Sequence, residues 1–330
     1  MDHKKVLSES INNLTQYIPI IQNPDGSITR LEQVTISIPA DPNSSSAVLT
    51  KDVTFNTQNN TSIRLYLPRN AHDSSFSKPP TKLPLIVYFH GGGFIICKPG
   101  FTYFHNLCYE MASRLGIMIA SVDYRLAPEH RLPSAYDDAM DALHWIKSLQ
   151  DDWLRDFVDL SNCFLMGDSA GGNIAYNAGL RAAAEVDDLV PLMIRGLILH
   201  QPFLGGVERT VSELRGVDDR ILPLLATDIL WDLALPIGCD RDHVYSNPTV
   251  DGEILTMCAL GMKSVGWRVL VTGCDGDPLI DRQMELAEKL KMNGVDVEIW
   301  RRKDGYHGVD FIEPDKVESL FPILKSFIKL

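Results

Sequence analysis

Six short apolar runs, rich in β-branched residues, recur along the chain, and nothing else in the sequence restricts the fold as tightly. They are LPLIVYFH (83–90), GIMIASVDY (116–124), NCFLMG (162–167), IRGLILHQP (194–202), WRVLVTG (267–273) and VDVEIWR (295–301). Apolar residues fill both alternating positions of these runs, as they do in strands buried on two faces. Helical periodicity lies between most of them, over 101–115, 134–149, 170–185, 280–293 and 315–329. Strands alternating with helices predict an α/β fold with a mostly parallel central sheet flanked by helices.

Two stretches depart from that rhythm. KDVTFNTQNNTSIRLYLP (51–68) alternates around a polar NTQNN centre and reads as a β-hairpin. Residues 207–262 hold no clear strand but carry ILPLLATDILWDLALP (221–236), an apolar helical pattern. An extra helical segment there predicts a cap over the C-terminal edge of the sheet, where open α/β sheets bind ligands. Val6, Ile11, Leu14 and Ile18 fall at helical spacing, so 4–22 is expected to form a short amphipathic helix. No repeat, low-complexity tract or linker divides the chain. The expectation is one domain over 1–330, with cap or lid elements from about 1–25 and 207–240.

The 330 residues are 45% hydrophobic, ample for a sizeable core, and the net charge is −12. That charge argues against a nucleic-acid partner and offers no basic face to an anionic membrane. No run of about 18 apolar residues exists, so no membrane span is expected. The first 22 residues are too polar and broken to read as a signal peptide. Cysteines 97, 108, 163, 239, 258 and 274 make neither a CxxC pair nor a zinc-like spacing. They read as reduced thiols in a cytoplasmic protein. Neither a metal nor an organic cofactor is expected.

GDSAGG places Ser169 between Gly167 and Gly171, after an apolar run and before a helical pattern. G-x-S-x-G in that context is a nucleophile elbow: the serine sits on a strained turn that only small neighbours permit. Alone, the pentapeptide also fits a glycine-rich turn with an incidental serine. YFHGGGF (88–94) counts against that, because Gly91, Gly92 and Gly93 follow a buried strand and let backbone N–H groups face a ligand. With the Ala170 N–H they can supply donors for a tetrahedral oxyanion. A phosphate loop is the rival reading, but the Gly-Lys-Ser/Thr ending is missing. A base should follow late, in the order serine, acid, histidine. Of nine histidines, His307 in DGYHGVDF lies after the last apolar run and before the last helix. The acid belongs after WRVLVTG, where CDGDPLID offers Asp275, Asp277 and Asp281. Asp277 precedes a proline and is held extended. An N-cap for the following helix is its competing role, and spacing leaves Asp275 open.

Together HGGG, GDSAGG, the D-P-L of 277–279 and the late His-Gly resemble the hormone-sensitive-lipase-like group of α/β-hydrolases. YFHGGGF, DYRLAPEHRLPSAYDDA and GDSAGGNIA, in that order, are similar to its plant carboxylesterases. The resemblance runs from about residue 50 to the C-terminus. It implies an α/β-hydrolase fold, with Ser169 as nucleophile, His307 as base and Asp277 as acid. It implies oxyanion donors among the amides of Gly91, Gly92, Gly93 and Ala170. His90 and Asp168, and Asp123, Arg125 and Glu129 of DYRLAPEH, would be supporting polar groups or plain structural ion pairs. The family also includes hormone receptors that replace the histidine, and dehydratases. Retention of Ser169 and His307 favours hydrolysis. The expected substrates are small to medium uncharged esters, and the expected state is a monomer. Apolar walls are expected from Phe94, Ile95, Ile96 and Trp231, with Leu14, Tyr17 and Ile18 added by the N-terminal helix.

Overall fold

The computed structural model describes residues 19–23, 28–31, 36–74 and 82–328. Its core is an eight-stranded sheet. In chain order the strands are β3 (Val48–Asn56), β4 (Thr61–Pro68), β5 (Leu83–Phe89), β6 (Met118–Asp123), β7 (Val158–Asp168), β8 (Ile194–His200), β9 (Arg268–Cys274) and β10 (Asp296–Arg302). Two short strands, β1 (Ile20–Gln22) and β2 (Ile28–Arg30), precede them and pair only with each other. Across the sheet the order is β10-β9-β8-β7-β5-β6-β4-β3. Strands β5 to β10 run parallel, and the hairpin β3–β4 joins antiparallel through β4 to β6.

The unbroken apolar runs are explained by what covers each face. On one side Leu85, Val87, Phe89, Leu165, Leu197, Leu199, Val269 and Val271 pack against helices Ser134–Lys147, Ala170–Ala184, Leu224–Ala234, Gly252–Ser264 and Ile280–Met292. On the other, Ile86, Tyr88, Phe164, Met166, Ile198 and Leu270 meet helices Thr102–Leu115 and Leu320–Ile328. Strands β5 to β9 therefore alternate between two largely buried faces, whereas the edge strands β3 and β10 keep partly exposed positions, so the run 295–301 is not buried on both faces as expected. Among the described residues, no helix is long and apolar enough to cross a membrane.

Two expectations need correction. Residues 20–22 are strand, not the end of a helix: the β-branched pair Ile20–Ile21 sits opposite Arg30 and Thr29, Gln22 sits opposite Ile28, and Ile20 is buried in the core. The rest of that expected helix, with Leu14, Tyr17 and Ile18, lies outside the described residues. The C-terminal helical pattern is split into Pro314–Val317 and Leu320–Ile328. Pro322 is the reason. Inside one long helix it would remove a hydrogen bond and clash with the preceding turn, whereas in the first turn of a helix starting at Leu320 it does neither.

Candidate active site

Strand β7 ends at Asp168 and the next helix begins at Ala170, leaving Ser169 alone on the turn. Its φ of 54° and ψ of −118° are strained for a residue with a side chain, at a cost on the order of 1–3 kcal/mol. Hydrogen bonds on both sides hold the strain. The Ser169 N–H donates to the His200 carbonyl at 2.9 Å, and the Ser169 carbonyl accepts from Phe203 N–H at 2.8 Å and Asn173 N–H at 3.1 Å. The flanking glycines are there because of contact: a Cβ on Gly171 would sit 1.9 Å from the Phe89 carbonyl oxygen, and one on Gly167 2.1 Å from that of Gly171.

Three elements far apart in sequence converge on the hydroxyl. His307, on the loop after β10, brings Nε2 to 2.9 Å from Ser169 Oγ, and its Nδ1 lies 2.9 Å from Asp277 Oδ2. Asp277 follows β9 and is fully buried. Its Oδ1 accepts the Leu279 N–H at 2.8 Å within the turn, but the helix that follows starts at Ile280 with Leu279 as its N-cap and no side-chain cap, so Asp277 does not take the competing N-cap role. Oδ2 takes a second donor, Gln283 Nε2, at 2.9 Å. Asp275 points outward to Arg301 at 2.5 Å, and Asp281 accepts the Ser212 N–H. Neither reaches the histidine.

Gly91, Gly92 and Gly93 line the cavity in front of Ser169. Gly92, at φ 112°, turns its carbonyl back to accept Ile95 and Ile96 N–H at 3.0 Å each. Among the described residues, no acceptor faces the N–H groups of Gly92, Gly93 or Ala170. His90 braces the loop from behind: Nδ1 lies 2.7 Å from the Gly91 carbonyl oxygen, and the ring stacks on Tyr124 at 4.3 Å. Burial drives its pKa down to about 4, leaving the ring neutral to donate that bond.

Asp168, expected as a supporting polar group, belongs to a buried polar cluster whose other members, His200, Asp310 and Arg302, sequence reasoning missed. Burial pushes its carboxyl up to about 7, against the pull of the His200 ring 3.7 Å away. Tyr88 donates its hydroxyl to Oδ2. Burial alone would favour a neutral His200. The hydrogen bond to Asp310 at 2.9 Å and the field of Asp168 outweigh it and raise the pKa. Burial likewise acts to raise Asp310, but His200 and Arg302, the latter at 2.8 Å, hold it below the ordinary carboxylate value. A histidine closing an apolar strand and an aspartate three residues after His307 were the only signals available. Asp123, Arg125 and Glu129 do not line the cavity. Arg125 pairs with Asp138 at 2.7 Å and Glu129 with Arg30 at 2.6 Å.

The cavity holds about 330 Å³. Its walls include Ile96, Phe104 and Phe311, with Ile221, Leu222, Ala226 and Leu230 reaching in from the segment after β8. Phe94, Ile95 and Trp231 are not on the wall. Trp231 stacks on Phe203 at 4.7 Å with no exposed surface, and Phe94 and Ile95 are equally buried. These large side chains fill the space behind the wall and hold up the residues that form it. No group of His, Cys, Asp and Glu side chains able to hold a metal ion occurs among the described residues.

The chain belongs to the α/β-hydrolase fold family, whose model matches residues 86–311. Carboxylesterase 20 of Arabidopsis thaliana is 47% identical over 94% of this chain and 95% of its own length. The 3-O-acetylpapaveroxine carboxylesterase CXE2 of Papaver somniferum is 46% identical, covering 84% of this chain and 90% of that protein. The solved structure of an esterase from Pyrobaculum calidifontis superposes with a TM-score of 0.68 at 26% identity, over 86% of this chain and 84% of that one. Within the family, the chain is a serine carboxylesterase, a carboxylic-ester hydrolase.

Proposed function

We propose that Ser169, His307 and Asp277 carry out ester hydrolysis through an acyl-enzyme. The observation that carries this reading is the pair of 2.9 Å contacts at the two ring nitrogens of His307, one to Ser169 Oγ and one to Asp277 Oδ2. With the Nδ1 proton donated to Asp277, Nε2 is free to accept from the serine. Ser169 Oγ attacks the ester carbonyl carbon as Nε2 takes its proton. The carbonyl oxygen becomes an oxyanion, stabilised by the N–H groups of Gly92, Gly93 and Ala170 at a helix start that favours negative charge. Collapse breaks the bond to the alkoxide, which leaves with the Nε2 proton as an alcohol. Water, deprotonated by Nε2, then attacks the acyl-serine, and a second collapse returns the acid and the free hydroxyl.

The substrates we propose are uncharged esters of short to medium acyl length. Among the described residues the walls are mainly apolar and offer no cationic anchor, and a cavity of about 330 Å³ favours short to medium acyl chains. Each buried methylene adds roughly 0.8 kcal/mol until the space is full. Residues 207–240 act as the cap in this reading, within one domain. Six free cysteines fit a cytoplasmic protein, and the protein is read as a monomer. The test combines Ser169→Ala with kcat/KM for nitrophenyl esters from acetate to palmitate. The variant should lose several powers of ten in kcat while staying folded, and the wild-type profile should peak between acetate and medium chain lengths. Substantial activity in Ser169→Ala would remove the nucleophile. A flat profile, or a peak at palmitate, would remove the size-limited apolar pocket. An elimination product without a carboxylic acid would point instead to a dehydratase.

A further inference from the structure

We propose that Gln201 is a positioning residue for His307, an inference that rests on His307 being the base. Gln201 follows β8, is 3% exposed and borders the cavity. Its side chain grips the peptide units on both sides of His307. Oε1 accepts the Gly308 N–H at 2.9 Å, and Nε2 donates to the Tyr306 carbonyl at 3.2 Å. Nε2 also lies 3.1 Å from Cys274 Sγ, at the start of the loop that carries Asp277. One amide thus ties the loop of the base to the loop of the acid.

The His307 loop needs such a tie. It is bounded by Gly305 at φ 115° and Gly308 at φ 73°, conformations that glycine adopts and leaves readily. Gln201 itself is held in a backbone conformation unusual for a residue with a side chain, φ 43°, by its N–H bond to the Thr272 carbonyl at 3.0 Å. A strained residue that spends both ends of its amide on the neighbours of the base is accounted for by that alignment. The chemistry is specific. Methionine has the length without the polarity, and glutamate can accept from Gly308 but cannot donate to Tyr306.

A misplacement of about 1 Å can cost roughly 10²-fold in rate. Gln201→Met should therefore lower kcat on the order of 10- to 100-fold with KM nearly unchanged. The rate of covalent inactivation by the organophosphate paraoxon should fall in parallel, since it needs the same activated hydroxyl. Gln201→Glu, which keeps the Gly308 bond, should fall between Gln201→Met and wild type. Assays run below the unfolding temperature of each variant, and if Gln201→Met does not fold, Gln201→Glu carries the test. His307→Ala separates the two levels of inference. If it stays active, the assignment of the base is wrong. If it is inactive while Gln201→Met keeps wild-type kcat and paraoxon reactivity, the positioning role is refuted. A rise in KM at unchanged kcat would also refute it, by making Gln201 a substrate contact.

Discussion

Replacing Asp277 by Asn tests the site most sharply, because the structure constrains where the new amide can go. Both carboxylate oxygens are committed: Oδ1 to the Leu279 N–H, Oδ2 to His307 Nδ1 and Gln283 Nε2. A carboxamide has one acceptor oxygen. If its nitrogen faces Leu279, a buried backbone donor loses its partner, at about 1–3 kcal/mol. If its nitrogen faces His307, Gln283 must turn its amide over. That turn exchanges one unpartnered atom for another: Gln283 Oε1, now buried without a hydrogen-bond partner, gains one, while Nε2 gives up Asp277 and the Pro202 carbonyl at 3.4 Å, so the Leu279 bond is kept at little net cost. The second arrangement should win. His307 Nδ1 then has to accept, the ring proton moves to Nε2, and Nε2 can no longer take the proton of Ser169. The expected loss in kcat is on the order of 10³- to 10⁴-fold, with a stability change of only about 1 kcal/mol. Asp275→Asn is the control: its pair with Arg301 is exposed, so it should cost about 0–1 kcal/mol and leave turnover nearly unchanged. Steady-state kinetics on a nitrophenyl ester, with urea unfolding of each variant, makes the measurement. Wild-type turnover in Asp277→Asn, or a larger loss in Asp275→Asn, would refute the reasoning.

Leu230, on the helix Leu224–Ala234, reaches the glycine loop, its Cδ2 2.6 Å from where a Cβ on Gly93 would be. Leu230→Ala removes three carbons from the wall, so the preferred acyl chain should lengthen by about two or three carbons, each worth roughly 0.8 kcal/mol; an unmoved optimum would take Leu230 out of the acyl pocket. Asp168 bears on pH stability. Its folded pKa of about 7 lies above the ordinary 3.8, so its contribution to stability is complete below about 4 and is lost as pH rises through 7. Asp168→Asn can still accept from Tyr88 and cannot ionise, so its Tm relative to wild type should climb between pH 5 and pH 9. A Tm difference independent of pH would contradict the buried, proton-holding carboxyl.

Much of this protein was legible in its sequence because the signals were local. Buried parallel strands need apolar residues on both faces, so β5 to β9 stood out as runs. The elbow glycines and HGGG were readable because close backbone approach excludes side chains within a few residues of Ser169. Chain order alone pointed to His307. The rest depended on contacts across long separations. Asp275 and Asp277 differ by two positions, and only the turn after β9 sends one to surface Arg301 and the other to His307, 30 residues on. Trp231 looked like a pocket wall from its apolar neighbours, yet stacking on Phe203 buries it behind one. Gln201, Gln283, His200 and Asp310 carry no motif. An amide or a carboxylate at the end of a strand is chemically ordinary until folding sets it against a partner, and Gln201 and Tyr306 are 105 residues apart. Sequence by itself determined which backbone could form and which hydroxyl could react. Tertiary structure decided which aspartate faces His307 and which amide bonds the peptide units beside it, because hydrogen bonds depend on distance in space and the chain records only distance along itself.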